Sequence, residues 1–193
     1  MLSVEKINFT TADGKKIVAN FYSVPDPRGW LLLAHMMPAT KESWDGFAKE
    51  MQKNGYAGLA IDLRGHGEST VVESGKGKVE SLDYRKFSDE EHQAGIQDLE
   101  AGWEFLKSQG AVPGKLTVIG ASIGANLSLE FLTKHPEIGG GVLLSPGDYK
   151  GLDSGKLVKK LDENQKMVFV ASRKDERSAG NPRMQRAEQS SYD

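Results

Sequence analysis

One serine stands between two glycines where an apolar segment passes into a helical one. The segment VIGASIGA (118–125) places Ser122 at this turn, with Gly120 and Gly124 two positions away on either side. A serine that is lifted above the carboxyl end of a parallel sheet can act as a nucleophile, and the sharp turn that lifts it needs very small neighbours. Gly-x-Ser-x-Gly alone is a weak signal, because a chance match is expected about 0.2 times in such a chain. Its place between a predicted strand and a predicted helix favours a nucleophile over a serine that only makes a tight turn.

A dinucleotide-binding turn also joins a strand to a helix and therefore competes for the same segment. Its Gly-x-Gly-x-x-Gly pattern requires glycine where Ser122 stands, so that the backbone can approach a pyrophosphate. The serine argues against this alternative.

The elements around this turn predict an α/β fold with a mostly parallel sheet and flanking helices, because short apolar runs alternate with helical patterns. An N-terminal antiparallel hairpin is predicted around Ala12-Asp13-Gly14, since Asp-Gly suits a turn that needs positive φ. Continuous apolar runs predict strands buried on both faces: GWLLLAH (29–35), YAGLAID (56–62), KLTVIG (115–120), GVLLS (141–145) and KMVFVA (166–171).

Four helices are predicted between these strands. Ser43 is the expected N-cap of the first, with Trp44, Phe47, Ala48 and Met51 on one face. A capping box of Ser88 and Glu91 opens the second, which carries an apolar stripe and ends at Gly110. That stripe consists of Ile96, Leu99, Trp103 and Leu106. The other two helices are expected at about 123–134 and 155–164, and residues 63–87 are expected to form a polar loop.

Composition excludes several classes of function. The 193 residues carry a net charge of −2, which gives no reason to expect nucleic acid or an anionic membrane as partner. The absence of cysteine excludes disulfides, thiolate metal sites and a cysteine nucleophile. The start MLSVEKINFT has neither a basic nor an apolar leader region, and no apolar run approaches the roughly 20 residues that span a bilayer. We expect one cytoplasmic domain over residues 1–193; the composition leaves its oligomeric state open.

Three segments of the sequence resemble the α/β-hydrolase family. Gly120–Gly124 is similar to the nucleophile elbow, and Asp62–Ser69 (DLRGHGES) is similar to the D-x-R-G-H-G-x-S segment that many members carry after their fourth strand. Leu31–Pro38 (LLLAHMMP) stands where the family has its oxyanion loop. The resemblance covers nearly the whole chain in the right order. It implies the family's parallel sheet, opened by an antiparallel hairpin and flanked by helices.

The resemblance also implies roles for individual residues. Ser122 is the expected nucleophile, and the backbone N–H of Ile123 is one expected donor to the oxyanion. Met37 is expected to supply the second N–H, with Met36 as the alternative. Met36 stands where the family usually has glycine, and a competing interpretation gives both methionines a role in apolar packing alone.

The triad acid is expected after a late strand. Asp175 follows KMVFVA, where the family delivers its carboxylate, with Glu176 and Asp148 as alternatives. The ordinary interpretation of an aspartate in such a charged run is a solvated side chain. His35 and His66 are expected to be structural hydrogen-bonding residues.

In this fold the catalytic histidine follows the acid, but the sequence has no histidine after Asp175. Either the sequence stops before the natural end of the protein, or a complete protein has lost its general base. Without a further strand MVFVA would be an unprotected sheet edge, which natural proteins usually avoid. We therefore expect a single α/β-hydrolase domain that is incomplete at its C-terminus, with its last strand missing.

The resemblance implies a serine hydrolase of the carboxylesterase type. Only 29 residues separate GVLLS from Asp175, too few for a large cap domain. An open, shallow site suits small or short-acyl esters, with thioesters and amides as further possibilities. The sequence shows neither a metal-ligand spacing nor a phosphate loop, so no cofactor and no metal are expected. The alternative is a non-catalytic member of the fold that serves as a binding or interaction module.

Overall fold

The computed structural model describes residues 2–74 and 78–171. Strands and helices alternate along this part of the chain. The strands are β1 (Ser3–Thr10), β2 (Lys16–Ser23), β3 (Gly29–Ala34), β4 (Tyr56–Ile61), β5 (Val71–Ser74), β6 (Lys78–Ser81), β7 (Leu116–Ala121), β8 (Gly140–Leu144), β9 (Asp148–Tyr149), β10 (Leu152–Asp153) and β11 (Lys166–Val170). The α-helices are α1 (Asp45–Lys53), α2 (Asp89–Gln93), α3 (Ile96–Ser108), α4 (Ile123–Lys134) and α5 (Ser154–Val158). Short 3-10 helices cover Lys41–Trp44, Tyr84–Lys86 and Pro113–Lys115.

Seven of these strands form the central sheet, in the order β1-β2-β4-β3-β7-β8-β11. The β1–β2 and β2–β4 pairs are antiparallel, and the β3–β4, β3–β7, β7–β8 and β8–β11 pairs are parallel. Ala34 is in register with both Ile61 and Gly120, so β3, β4 and β7 end at the same level. The expected α/β-hydrolase fold is confirmed: a mostly parallel sheet, opened by an antiparallel hairpin.

Helices cover both faces of the sheet. Trp30, Leu32 and Ala34 of β3 belong to the larger apolar cluster, which includes the buried residues of α3 and α4. Leu31 and Leu33 face the opposite way and pack with Trp44 and the α1 side of the sheet. Every residue of β3 is therefore buried, which is why its sequence is a continuous apolar run.

The N-terminal hairpin turns at the predicted residues. Gly14 has a φ of 80°, a conformation that glycine adopts without steric cost. Its N–H donates to the Thr11 carbonyl oxygen at 2.9 Å, which closes the turn.

Two of the predicted helices differ from expectation at their ends. Ser43 is not the N-cap of α1, because it lies inside the 3-10 turn and its hydroxyl donates to the Thr40 carbonyl oxygen. The helix expected over 155–164 shortens to α5, which Asp153 caps. None of the helices in residues 2–74 and 78–171 is long and apolar enough to cross a membrane.

The segment before α3 carries more structure than the sequence indicates. The Ser88–Glu91 capping box is present, but it opens the short α2, and a break at Ala94-Gly95 separates α2 from α3. The expected loop at 63–87 contains β5 and β6, which pair antiparallel. A second two-stranded ribbon, β9 with β10, follows β8. Such short strands escape pattern analysis because they hold only two to four residues each.

Strand β11 forms one edge of the sheet within the described part of the chain. Val168 and Val170 on this strand are 53% and 48% exposed. The expectation of a further strand beside β11, like that of an incomplete domain, stays a prediction.

Candidate active site

Ser122 occupies a sharp turn between β7 and α4. Its φ of 51° and ψ of −118° lie in a region that costs a non-glycine residue about 1–3 kcal/mol. The Ser122 N–H donates to the Leu144 carbonyl oxygen at 2.9 Å, so the turn also lies against the end of β8. The side chain is half-buried, and no described residue hydrogen-bonds its hydroxyl. The turn thus presents an unengaged hydroxyl at the carboxyl end of the parallel strands.

The two glycines are required by close contacts between backbone segments. A Cβ on Gly124 would lie 2.5 Å from the carbonyl oxygens of Ala34 and His35. A Cβ on Gly120 would overlap the Gly124 carbonyl group and approach the Ser128 hydroxyl to 2.5 Å. The structure therefore confirms the reason for the Gly-x-Ser-x-Gly spacing, because α4 can begin this close to β7 and β3 only without these side chains.

Residues 36–38, the predicted oxyanion loop, leave β3 beside the start of α4. Ile123 is the first residue of α4, and its N–H has no acceptor among the described residues, as expected at a helix N-terminus. The His35 carbonyl lies against Gly124 of α4, and Met37 comes two residues later in the chain. The loop and the start of the helix are therefore close together. The role of the Met37 N–H as the second oxyanion donor stays a prediction.

The two methionines of this loop differ in exposure. The Met36 side chain is 47% exposed, so apolar packing does not account for it, whereas Met37 is half-buried against the main core. The Met36 carbonyl accepts hydrogen bonds from His35 Nδ1 at 2.9 Å and from the Ala39 N–H at 2.8 Å. These bonds hold the loop although Met36 replaces the usual glycine.

The 62–69 segment is a buried polar network. The Asp62 carboxylate, fully buried, accepts from the N–H and the Nζ of Lys41, each at 2.8 Å, and from the Glu68 N–H at 2.9 Å. Lys41 is itself 1% exposed, and its carboxylate partners raise its pKa above the usual lysine range against the opposing effect of burial. The Ser69 hydroxyl donates to the Asp62 carbonyl oxygen and accepts from the Val18 N–H.

Arg64 makes the second buried ion pair of this segment. Its guanidinium donates to Asp98 from Nε at 2.9 Å and from Nη2 at 2.8 Å, and Nη1 reaches Asp13 at 2.7 Å. Burial raises the pKa of Asp98 to about 6, with Arg64 acting in the opposite direction. Sequence analysis missed Lys41, Asp98 and Asp13 as partners, because each comes from a distant part of the chain.

His35 and His66 are structural, as the sequence predicts. The Leu63 N–H donates to His35 Nε2 at 3.0 Å, so the proton of the neutral ring is on Nδ1 and points to Met36. Desolvation lowers the pKa of His35 to about 4. His66 is held through Nδ1 by the Arg64 carbonyl and stacks on Tyr84 with 3.9 Å between ring centroids.

The remaining two histidines have other contacts and make no hydrogen bond to the Ser122 hydroxyl. His135 follows the last residue of α4, a helix of 12 residues that spans about 18 Å, and bonds to Glu100 and Glu137. His92 is buried on α2 against Phe87. None of the four histidines, all within the described residues, hydrogen-bonds the Ser122 hydroxyl.

The candidate acids fall on different parts of the chain. Asp148 lies exposed on β9 in the ribbon that follows β8. Asp175 and Glu176 lie outside the described residues. In residues 2–74 and 78–171 no group of three His, Cys, Asp or Glu side chains could hold a metal ion.

An open groove of about 470 Å³ adjoins the predicted oxyanion loop at Pro38. His66, Thr70, Tyr84 and Arg85 contribute to its mostly polar wall. The groove is large enough for a small organic molecule.

Comparison with known proteins shows the family of this chain. The profile of the family described as serine aminopeptidase, S33, matches residues 25–188. The chain belongs to this family of α/β-hydrolases. No curated protein matches the sequence.

Solved structures share the fold. An esterase from Pyrococcus furiosus, Pf2001, superposes with a TM-score of 0.59 at 25% identity, over 77% of this chain and 54% of that one. A predicted CIB-like hydrolase from Thermoplasma acidophilum gives a TM-score of 0.65 at 19% identity, over 99% and 83%. The α/β-hydrolase GrgF from Penicillium sp. sh18 gives 0.61 at 16% identity, over 75% and 46%. The chain thus spans about half the length of the Pf2001 and GrgF structures.

The strain at Ser122 predicts that glycine is more favourable than alanine at this position, which reverses their usual order in a helix. We expect Ser122→Gly to be more stable than Ser122→Ala by about 1 kcal/mol, because only glycine adopts the positive φ freely. The control is Ser128 in the middle of α4, where Gly should be less stable than Ala by about 1 kcal/mol. Urea unfolding of the four variants makes the comparison, and the same sign at both positions would contradict the strained turn.

Burial of neutral His35 predicts a pH dependence of stability. Its folded pKa of about 4 lies below the ordinary 6.5, so the unfolded chain binds more protons between these values. The contribution of neutral His35 to the free energy of unfolding is complete above pH 6.5 and disappears as the pH falls to 4. This contribution is at most about 3 kcal/mol. We expect His35→Gln to be less stable than wild type at pH 7.5, with the difference shrinking at pH 4.5. An unchanged difference in urea-unfolding free energy would show that His35 does not titrate as described.

Proposed function

We propose that the protein is a serine hydrolase that cleaves small or short-acyl carboxylic esters through an acyl-enzyme. The observation that carries the proposal is the strained Ser122 turn, whose hydroxyl and neighbouring Ile123 N–H have no hydrogen-bond partner among the described residues. The S33 family membership and the esterase fold of Pf2001 support it.

In the proposed mechanism, Ser122 Oγ attacks the ester carbonyl carbon and the carbonyl oxygen becomes an oxyanion. The N–H groups of Ile123 and Met37 donate to this oxygen, and the positive end of the α4 dipole adds to the stabilisation. Collapse of the intermediate expels the alcohol and leaves the acyl group on Ser122. Water then hydrolyses the acyl-enzyme and restores the serine.

The general base in this proposal is none of the four histidines at positions 35, 66, 92 and 135. His35 uses both ring nitrogens, His66 and His92 are buried against aromatic rings, and His135 lies at the far end of α4. A histidine outside these 193 residues would take the Ser122 proton, and Asp175 would orient that histidine.

The proposed substrate class follows from the absence of a large insertion after β8. Residues 145–165 connect β8 to β11 through the short ribbon and α5, so they leave no room for a cap domain. An open site of this kind binds a small ester better than a long lipid chain. No cofactor takes part in the proposed reaction.

A non-catalytic binding function is the second candidate. It is favoured by one observation: no histidine in residues 2–74 and 78–171 hydrogen-bonds the Ser122 hydroxyl. Covalent labelling of Ser122 separates the two candidates.

We expect a fluorophosphonate to label Ser122 in the protein expressed from its complete gene, since the reagent reacts with activated serines. Ser122→Ala should lose the label and lower kcat on short-chain aryl esters by about 10⁴-fold or more. Ser128→Ala, on the same helix, serves as control and should keep both. Peptide mapping that places the label elsewhere, or hydrolysis that survives in Ser122→Ala, would refute the assignment.

The proposed acid is tested by exchanging carboxylates for amides. Asp175→Asn should lower kcat by about 10⁴-fold, because an amide favours the wrong histidine tautomer. Asp148→Asn should have a far smaller effect, since this side chain is exposed on the ribbon. Circular dichroism checks that both variants fold. If Asp148→Asn is the more damaging change, the acid belongs to the ribbon and not to the segment after β11.

A further inference from the structure

The chain that leaves β8 passes directly beside Ser122. The Ser122 N–H bonds to the last residue of β8, Leu144, at 2.9 Å. Three residues later the chain reaches Gly147 and enters the ribbon of β9 and β10; the part from Gly147 to Leu152 is here called the 147–152 ribbon. Loops at the carboxyl ends of parallel strands are where such sheets bind ligands.

A single side chain of α4 fastens the base of this ribbon. Asn126 is fully buried, and its own N–H donates to the Ser122 carbonyl oxygen at 3.1 Å. Its Oδ1 accepts from the Gly147 N–H at 3.1 Å, while Nδ2 donates to the carbonyl oxygens of Gly147 and Leu152, the latter at 2.9 Å. The amide therefore holds both ends of the ribbon, one helical turn from the nucleophile.

The tip of the ribbon, which is the turn at Lys150 and Gly151, is attached to α2 by fewer hydrogen bonds. Gln93 Nε2 donates to the Lys150 carbonyl oxygen at 2.9 Å, and Lys150 Nζ lies 3.8 Å from an Asp89 carboxylate oxygen. Gly151, with a φ of 75°, makes room for the Gln93 amide. The ribbon thus bridges α4 and α2 at the carboxyl edge of the sheet.

We propose that Asn126 is a positioning residue that fixes the 147–152 ribbon as a wall of the ester site and thereby selects the acyl group that reaches Ser122. This inference rests on the proposed function. Asparagine is a poorer helix former than alanine, so helix propensity does not explain an asparagine at this position. The three hydrogen bonds to the ribbon do explain it. With the amide removed, the ribbon loses its hydrogen bonds to the helix that carries the nucleophile and keeps only the packing of Leu152 and Tyr149 on the core, so substrate is placed less accurately.

The test compares Asn126→Ala with Ser128→Ala on the same helix. The Ser128 variant removes a buried hydroxyl that has no hydrogen-bond partner among the described residues. In Asn126→Ala we expect the KM for p-nitrophenyl acetate to rise about tenfold and kcat to change less than about threefold, as for a displaced binding wall. The preference for the acetate over the octanoate ester should shrink. Hydrogen exchange of the Gly147 N–H should become faster only in the Asn126 variant.

Gln93→Ala removes only the attachment at the tip and should shift the chain-length preference in the same direction, to a smaller extent. This variant decides the question if Asn126→Ala fails to fold. Unchanged KM and chain-length preference in either folded variant would overturn the role of the ribbon and leave the serine hydrolase proposal standing. Wild-type protein that neither hydrolyses these esters nor reacts with a fluorophosphonate would overturn both proposals.

Discussion

The buried ion pairs of Asp62 with Lys41 and of Arg64 with Asp98 are the constraint on which the rest of the structure depends. A buried charge that loses its partner typically costs about 3–5 kcal/mol, so each pair must form for the fold to be stable. The two pairs fix the chain after β4 against the residues before α1 and against α3. Arg64 also reaches Asp13 in the N-terminal turn, so that one segment joins three distant parts of the chain.

The same segment supports the candidate active site. The Leu63 N–H holds the His35 ring, and the other ring nitrogen holds the Met36 carbonyl, so the position of the predicted oxyanion loop depends on the 62–69 segment. The strained turn at Ser122 is sustained from the opposite side, where Gly124 lies against the carbonyls at the end of β3. Strain of this size persists only where the surrounding packing leaves no relaxed alternative.

Two short ribbons extend from the carboxyl edge of the sheet. The β5–β6 ribbon and the β9–β10 ribbon both leave the carboxyl ends of strands, and both are shorter than a cap domain. The β9–β10 ribbon is attached to the helices by the hydrogen bonds of Asn126 and Gln93 and by Leu152, which packs in the main core. A few residues can therefore shape the surroundings of Ser122 without altering the sheet.

The sequence by itself determined the seven strands of the central sheet in their order along the chain, the Asp-Gly turn and the Ser122 turn with its two glycines, because these depend on residue types within a few positions of one another. Only the tertiary structure decided the partners of Asp62 and Arg64, the protonated nitrogen of His35 and the attachment of the ribbon by Asn126. The reason is physical: Asp98 and Lys41 are more than twenty residues from their partners. A polar residue that is buried because it pairs with a distant residue follows no periodic pattern in the sequence. The break at Gly95 and the two ribbons likewise depend on contacts with other elements, which override local propensity.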